Sequence, residues 1–220
     1  MDNTDIDNFA DLHDAIQVFK GSTVIFRGAK SKSYTLIPKL GRYDKFKTSS
    51  REKEEKMMLR LFKEQAVPYL DFTPNKWEWL AIAQHHGLPT RLLDWSRNPL
   101  IAAYFAVEKE HDDDSLIYCY KNNKYINTEK LADPFKRETV GKFIPTHVTQ
   151  RITAQTGLFT IHPNPFIEFE SNNISTITIK ESFRKELKKN LYTYGIHRAM
   201  VYPSLDGLSK HIEWLRTDVY

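Results

Sequence analysis

Gln84-His85-His86-Gly87-Leu88-Pro89-Thr90-Arg91-Leu92-Leu93-Asp94-Trp95-Ser96, which runs on through Arg97 into Asn98-Pro99-Leu100-Ile101-Ala102-Ala103-Tyr104-Phe105-Ala106, sets polar and special residues between two apolar helical stretches. Upstream, Trp77, Leu80, Ala81 and Gln84 recur at helical spacing, so a helix is predicted over residues 76–86 with Gly87 as its stop. Residues 91–95 read as a buried strand. Asn98 then supplies an N-cap and Pro99 the first position of an almost wholly apolar helix over 99–109, which should lie at the centre of the fold. Gly87 and Pro89 bend the chain, and turns held by rigid neighbours are where binding groups sit.

Outward from this stretch, Phe9, Leu12, Ile16 and Phe19 predict a short helix over 5–19, an N-terminal extension within residues 1–20. Residues 23–26 read as a strand that delivers Arg27 and Gly28 to its end, and 30–43 as loop. A helix over 51–67 has Met58, Leu61, Phe62 and Gln65 on its inner side and ends at Pro68. Strands are expected at 116–120, 157–162 and 174–180, an exposed strand at 166–170, and a last one at 199–202. Residues 121–150 are ambiguous, with a short helix near 133–140. Helices follow over 181–192 and 204–216, the second with Leu205, Leu208, Ile212 and Leu215 facing inward. No internal repeat or long linker interrupts the 220 residues. The expectation is a single mixed α+β domain over 1–220, with a central, mostly antiparallel sheet and packed helices.

Hydrophobic residues at 40% and aromatics at 13% suffice for a real core, which argues against disorder. The net charge of +4, from 32 basic and 28 acidic side chains, permits contact with a nucleotide phosphate or nucleic acid but does not argue for a long polyanion. The single cysteine, Cys119, excludes an internal disulfide and reads as a small buried strand residue. Met1 to Asp5 carries no apolar signal region, and no segment approaches the ~20 apolar residues of a membrane span. A cytoplasmic location without membrane contact is expected.

Arg27 is the first candidate for chemistry. Its planar fork can reach a phosphate or ribose, while Gly28 lets backbone or ligand approach closely. Equally, Arg27 can hold an acidic neighbour such as Asp94. Ser96 can cap the following helix in competition with Asn98, or offer its hydroxyl to a ribose. Asp94 can fix Arg27 or Arg91, and Trp95 packs in the core or stands beside a base. His85 and His86 are adjacent and point apart on a helix, unlike the i, i+4 pairs of metal sites, so no metal is expected. One of the two is a structural histidine or a substrate contact, and His86 joins Gly28, Arg91, Trp95 and Tyr104 as candidate substrate-binding residues. His162, His197 and His211 receive no role. Gln155 can orient a hydroxyl but cannot be a general base.

Together with Phe26-Arg27-Gly28 upstream and Gln155-Thr156-Gly157-Leu158-Phe159-Thr160 downstream, the central stretch resembles the FRG domain, a bacterial and phage family named for its Phe-Arg-Gly signature. The resemblance runs roughly from Val24 to Trp214. A second resemblance, to ADP-ribosyltransferases, rests on order: strand-Arg-Gly, then strand-Ser before an Ala-rich helix, then a polar residue ahead of a later strand. It implies an ADP-ribosyltransferase-like fold and NAD as cofactor. Arg27 would bind NAD phosphate and ribose, Ser96 would hold the nicotinamide pocket, and Gln155 would stand where that family has its catalytic glutamate. Glutamine supplies no negative charge, so either Asp94 or Glu213 serves instead, or NAD is bound and not turned over. The resemblances imply a nucleotide-handling effector or toxin in phage defence or phage–host conflict. The alternative is a non-catalytic sensor that recognises a phage protein or nucleic acid through Arg27, Arg91, Arg97 and the aromatics.

Overall fold

The computed structural model describes residues 3–20, 23–47, 50–146 and 149–217. Among these, seven strands, β1 (Asn3–Ile6), β2 (Val24–Ala29), β3 (Leu92–Ser96), β4 (Ser115–Lys121), β5 (Gly141–Phe143), β6 (Gly157–Ile161) and β7 (Ile174–Ile179), form one sheet in the order β1-β7-β4-β2-β3-β6-β5. Every pairing is antiparallel except that of β1 with β7. Among the described residues there are eight helices: α1 (Phe9–Gln17), α2 (Arg51–Ala66), α3 (Lys76–His85), α4 (Pro99–Val107), α5 (Gln150–Ala154), α6 (Arg184–Thr193), α7 (Arg198–Val201) and α8 (Leu205–Thr217). The fold is α+β, as expected.

The sheet is two half-sheets meeting at one point. β2 pairs with β4 over six residues and β3 with β6 over five, but β2 and β3 share only the pair Phe26 and Ser96. Each half has its own core. Phe26, Ile117, Cys119 and Ile177 pack under α1, α4, α6 and α7, while Leu92, Phe143, Phe159 and Ile161 pack under α2 and α3. The reverse face, with Ile25, Leu93, Trp95 and Tyr118, is closed by Leu36 and Phe169 from two loops.

The local signals of the central stretch act as read. Gly87 ends α3 at φ +87°, and Asn98 caps α4 with Pro99 in its first turn; at the start of α3 the structure adds a reciprocal capping box of Asn75 and Glu78 that was not read from the sequence. Cys119 is buried, and burial pushes its thiol up to about 12, as suits a packing residue.

Other expectations are corrected. Residues 3–6 begin no helix; they add a parallel strand to β7, where Asn3 accepts from Thr176 and Thr178. Arg27 and Gly28 lie inside β2, which runs on to Ala29, instead of at the end of a strand over 23–26. The inner face of α2 is Glu55 and Leu59 with Phe62, while Leu61 and Gln65 are exposed. The expected helix near 133–140 is one 3₁₀ turn, Pro134–Lys136, ahead of β5. Residues 166–170 form no strand: preceded by Pro163 and Pro165, they fold over the sheet, and Phe169 N–H donates to the Leu36 carbonyl at 3.1 Å. Residues 198–201 are helical: the Val201 and Tyr202 N–H groups donate back to the His197 and Arg198 carbonyls, as a helical turn requires. On α8 the stripe Leu205, Leu208, Ile212 and Leu215 faces outward, and the helix is seated instead through Gly207 and His211. No helix among the described residues is long and apolar enough to cross a membrane.

Candidate functional site

Where β2 and β3 diverge, the fork opens into a cleft of about 580 Å³. β2 contributes Phe26, Arg27 and Gly28, α3 contributes Gln84 and His85, and β3 contributes Asp94, Trp95 and Ser96. α4 adds Ala102 and Phe105, while α5 and the start of β6 add Arg151, Gln155 and Phe159. Three segments far apart in sequence thus meet around one hollow.

Arg27 is held in place on neutral and acidic groups. Its Nη1 donates to the Asp94 carbonyl at 2.6 Å and stands 3.6 Å from the Asp94 carboxylate. Burial lowers its affinity for a proton, and the Asp94 charge opposes that effect. Asp94 is fixed in turn by a relay: Gln84 Nε2 donates to its Oδ2 at 2.8 Å, and Thr90 Oγ1 donates to Gln84 Oε1 at 2.6 Å. The turn after α3 therefore positions the arginine of β2.

Ser96 works on the scaffold. Its hydroxyl donates to the Gln155 carbonyl at 2.7 Å and accepts from Asn98 N–H at 2.9 Å, tying β3, α4 and α5 together. The amide nitrogen of Gln155 donates to the Val201 carbonyl at 3.0 Å. Next to it, Thr156 sits at φ +46°, in the left-handed region where a β-branched residue is strained. Thr156→Asn is expected to raise stability by about 0.5–1 kcal/mol, because asparagine tolerates that conformation better. A denaturation midpoint that falls instead would mean that the Thr156 hydroxyl, 3.0 Å from Ser96 Oγ, outweighs the strain.

Of the residues singled out from sequence, Arg27, Gly28, His86, Asp94, Trp95, Ser96 and Gln155 line the cleft; Arg91 and Tyr104 do not. Arg91 is buried in a paired bond to Glu55, with Nε–Oε1 at 2.9 Å and Nη2–Oε2 at 2.6 Å. Tyr104 and Glu213 line a separate cavity of about 310 Å³ beside α8, so of the two substitute acids only Asp94 reaches the cleft. Trp95 is a wall residue whose Nε1 donates to Thr160 Oγ1 at 2.8 Å. Gly28 borders the cleft, but its missing side chain serves α4, whose backbone rests on it. The histidines left without a role pack against neighbours: His162 Nε2 lies 2.9 Å from Thr160 Oγ1, and His197 stacks on His211 at 4.2 Å.

One charged cleft residue, Arg151, escaped the sequence reading. Arg151 forms no ion pair among the described residues, and its guanidinium lies 4.6 Å from the Tyr202 ring. It stands four residues before Gln155, a spacing that puts both on one helical face, but the segment offered no strong periodicity. His85 is held neutral, its pKa lowered to about 4 by burial and then by the charges of His86 and Arg151. As arranged, the cleft offers two guanidiniums, aromatic walls and, among its lining residues, the one carboxylate of Asp94.

The family comparison matches residues 22–115, which hold the Phe-Arg-Gly strand and the His-Gly-Leu-Pro-Thr-Arg turn, to the FRG domain. The chain carries an FRG domain over that stretch, which spans β2 to the first residue of β4. Neither the curated proteins nor the solved structures contain a match to this chain.

Proposed function

We propose that the cleft is a nucleotide site of ADP-ribosyltransferase type, with NAD as the leading ligand. The observation that carries this reading is the convergence of Arg27, Ser96 and Gln155 on one hollow, with Arg27 locked by Asp94. A guanidinium held this way loses little freedom when it meets a phosphate. The volume suits a ligand of nucleotide size, and Phe26, Phe105 and Phe159 give apolar wall for a base. In a transfer reaction the bond from ribose C1′ to nicotinamide breaks, an acceptor nucleophile takes the ribosyl carbon, and its proton leaves with solvent. Asp94 is the group placed to stabilise the positive charge that develops.

A second reading, binding without turnover, is favoured by a specific feature. Gln155 is uncharged, and its amide nitrogen is already bonded to Val201. On this reading the domain senses a nucleotide or a macromolecule that presents one. A role as effector or toxin in phage–host conflict follows the family resemblance and is part of the proposal.

Calorimetric titration of NAD, ADP-ribose and ATP into the protein tests the shared premise. Binding is expected, and Arg27→Ala should weaken it by about tenfold or more, the worth of a charge-assisted phosphate contact. No heat with any nucleotide would end the first reading and would leave of the second only the sensing of a macromolecule. Nicotinamide release from NAD, lost in Asp94→Asn, would separate turnover from binding.

A further inference from the structure

Behind Arg27 the fork leads to a second cavity, of about 390 Å³, with a different chemistry. Lys39, Arg42 and Tyr43 line one side, and Arg27, Gln84 and Asp94 form the wall shared with the main cleft. Three cations face one carboxylate there. That carboxylate already accepts from Gln84 and stands beside Arg27.

Lys39 and Arg42 are oriented without being neutralised. The Lys39 ammonium donates to the Gly87 carbonyl at 2.7 Å, and Arg42 Nε donates to the Ile37 carbonyl at 3.0 Å. Neither forms an ion pair among the described residues. Arg42 is also near enough for its charge to act against that of Arg27, a repulsion that a bound anion would relieve. The turn that presents them, Lys39–Arg42, is firmly seated. Leu40 is buried and its N–H donates to the Thr90 carbonyl, and Gly41 lies so close to Pro165 that a methyl group there would stand 1.9 Å from its carbonyl oxygen. Exposed cations on a rigid turn form a cradle with little ordering left to do.

We propose that this second cavity is a phosphate subsite, and that the ligand of the main cleft carries at least two phosphates: a nucleoside diphosphate or a dinucleotide. The inference rests on the nucleotide reading of the main cleft. Base and ribose occupy the larger space, Arg27 stands at the junction, and the distal phosphate meets the Arg42 fork and the Lys39 charge. Lys39 and Arg42 are exposed, so this part of the attraction weakens as salt rises.

Titration of adenosine, AMP, ADP, ADP-ribose and inorganic pyrophosphate into the wild type, Arg42→Ala and Lys39→Ala/Arg42→Ala tests this. ADP should bind about tenfold tighter than AMP, and Arg42→Ala should remove most of that advantage while AMP stays within about twofold. Both positions are exposed, so an unchanged melting curve confirms that the variants fold. Equal affinity for AMP and ADP in the wild type, or an ADP advantage that survives the double substitution, overturns the subsite. If pyrophosphate binds in an Arg42-dependent way and no nucleoside compound binds, the subsite stands and the nucleotide reading of the main cleft falls. If nothing binds, both fall.

Discussion

Gly28→Ala is expected to destabilise the protein by about 3 kcal/mol, the upper end for overpacking, and to lower its melting midpoint by roughly 6–12 °C. A methyl group on Gly28 would stand 2.0 Å from the Ala102 carbonyl oxygen, 2.6 Å from the Ala106 amide nitrogen and 3.0 Å from Phe105 Cβ. Two of these are backbone atoms of α4, so no rotamer change relieves the clash and the helix itself must retreat. That helix is buried on nearly every side: Ile101, Ala102, Ala103, Tyr104, Ala106 and Val107 are all core residues. Its displacement therefore loosens contacts on several elements at once. It also moves Ala102 and Phe105, which wall the cleft, so nucleotide affinity should fall even at temperatures where the variant stays folded. Thermal or urea denaturation reads the first effect and calorimetry the second. A midpoint within a degree of wild type would show that α4 does not rest on β2 as described.

This glycine shows where sequence stops being informative. Phe-Arg-Gly marks a position that tolerates no side chain, but not which approach requires it; α4, some seventy residues later, decides that. The helices and strands around 76–107 were legible because their signals are local: Gly87 and the Asn98-Pro99 start each act within one turn. α8 is the opposite case. Its aliphatic stripe is a true periodicity, yet the inner face was chosen by Gly207, where a methyl group would stand 1.9 Å from the Tyr202 carbonyl oxygen, and by the His211–His197 stack. Periodicity identifies a stripe and says nothing of what it meets. Likewise the grouping of Arg27, Ser96 and Gln155 was an implication of the ADP-ribosyltransferase resemblance, whereas Arg151, Lys39 and Arg42 entered only through tertiary placement.

The arginine of the central turn gives the second large effect, on stability and not on binding. Arg91 and Glu55 are 5% and 2% exposed, joined by two charge-assisted bonds, with Arg91 Nη1 also donating to the Pro163 carbonyl at 3.2 Å. The Phe135 ring lies 4.5 Å from the guanidinium. Glu55→Ala leaves that guanidinium buried with one weak acceptor and should cost about 3–5 kcal/mol, because the desolvation penalty remains while the attraction is gone. Arg91→Met strands the carboxylate and should cost a similar amount. The double variant Glu55→Leu/Arg91→Met removes both charges and should recover most of the loss, since a well-packed apolar pair replaces a buried ion pair at little net cost. Urea denaturation of the four proteins gives the coupling directly. A double variant as unstable as either single would show that the pair is required for its shape and bonds to the Pro163 loop. Single variants that lose less than about 1 kcal/mol would place the pair in the weak, solvated class instead. Nucleotide affinity, measured well below each midpoint, should stay at the wild-type value throughout, because Arg91 points away from the cleft into α2.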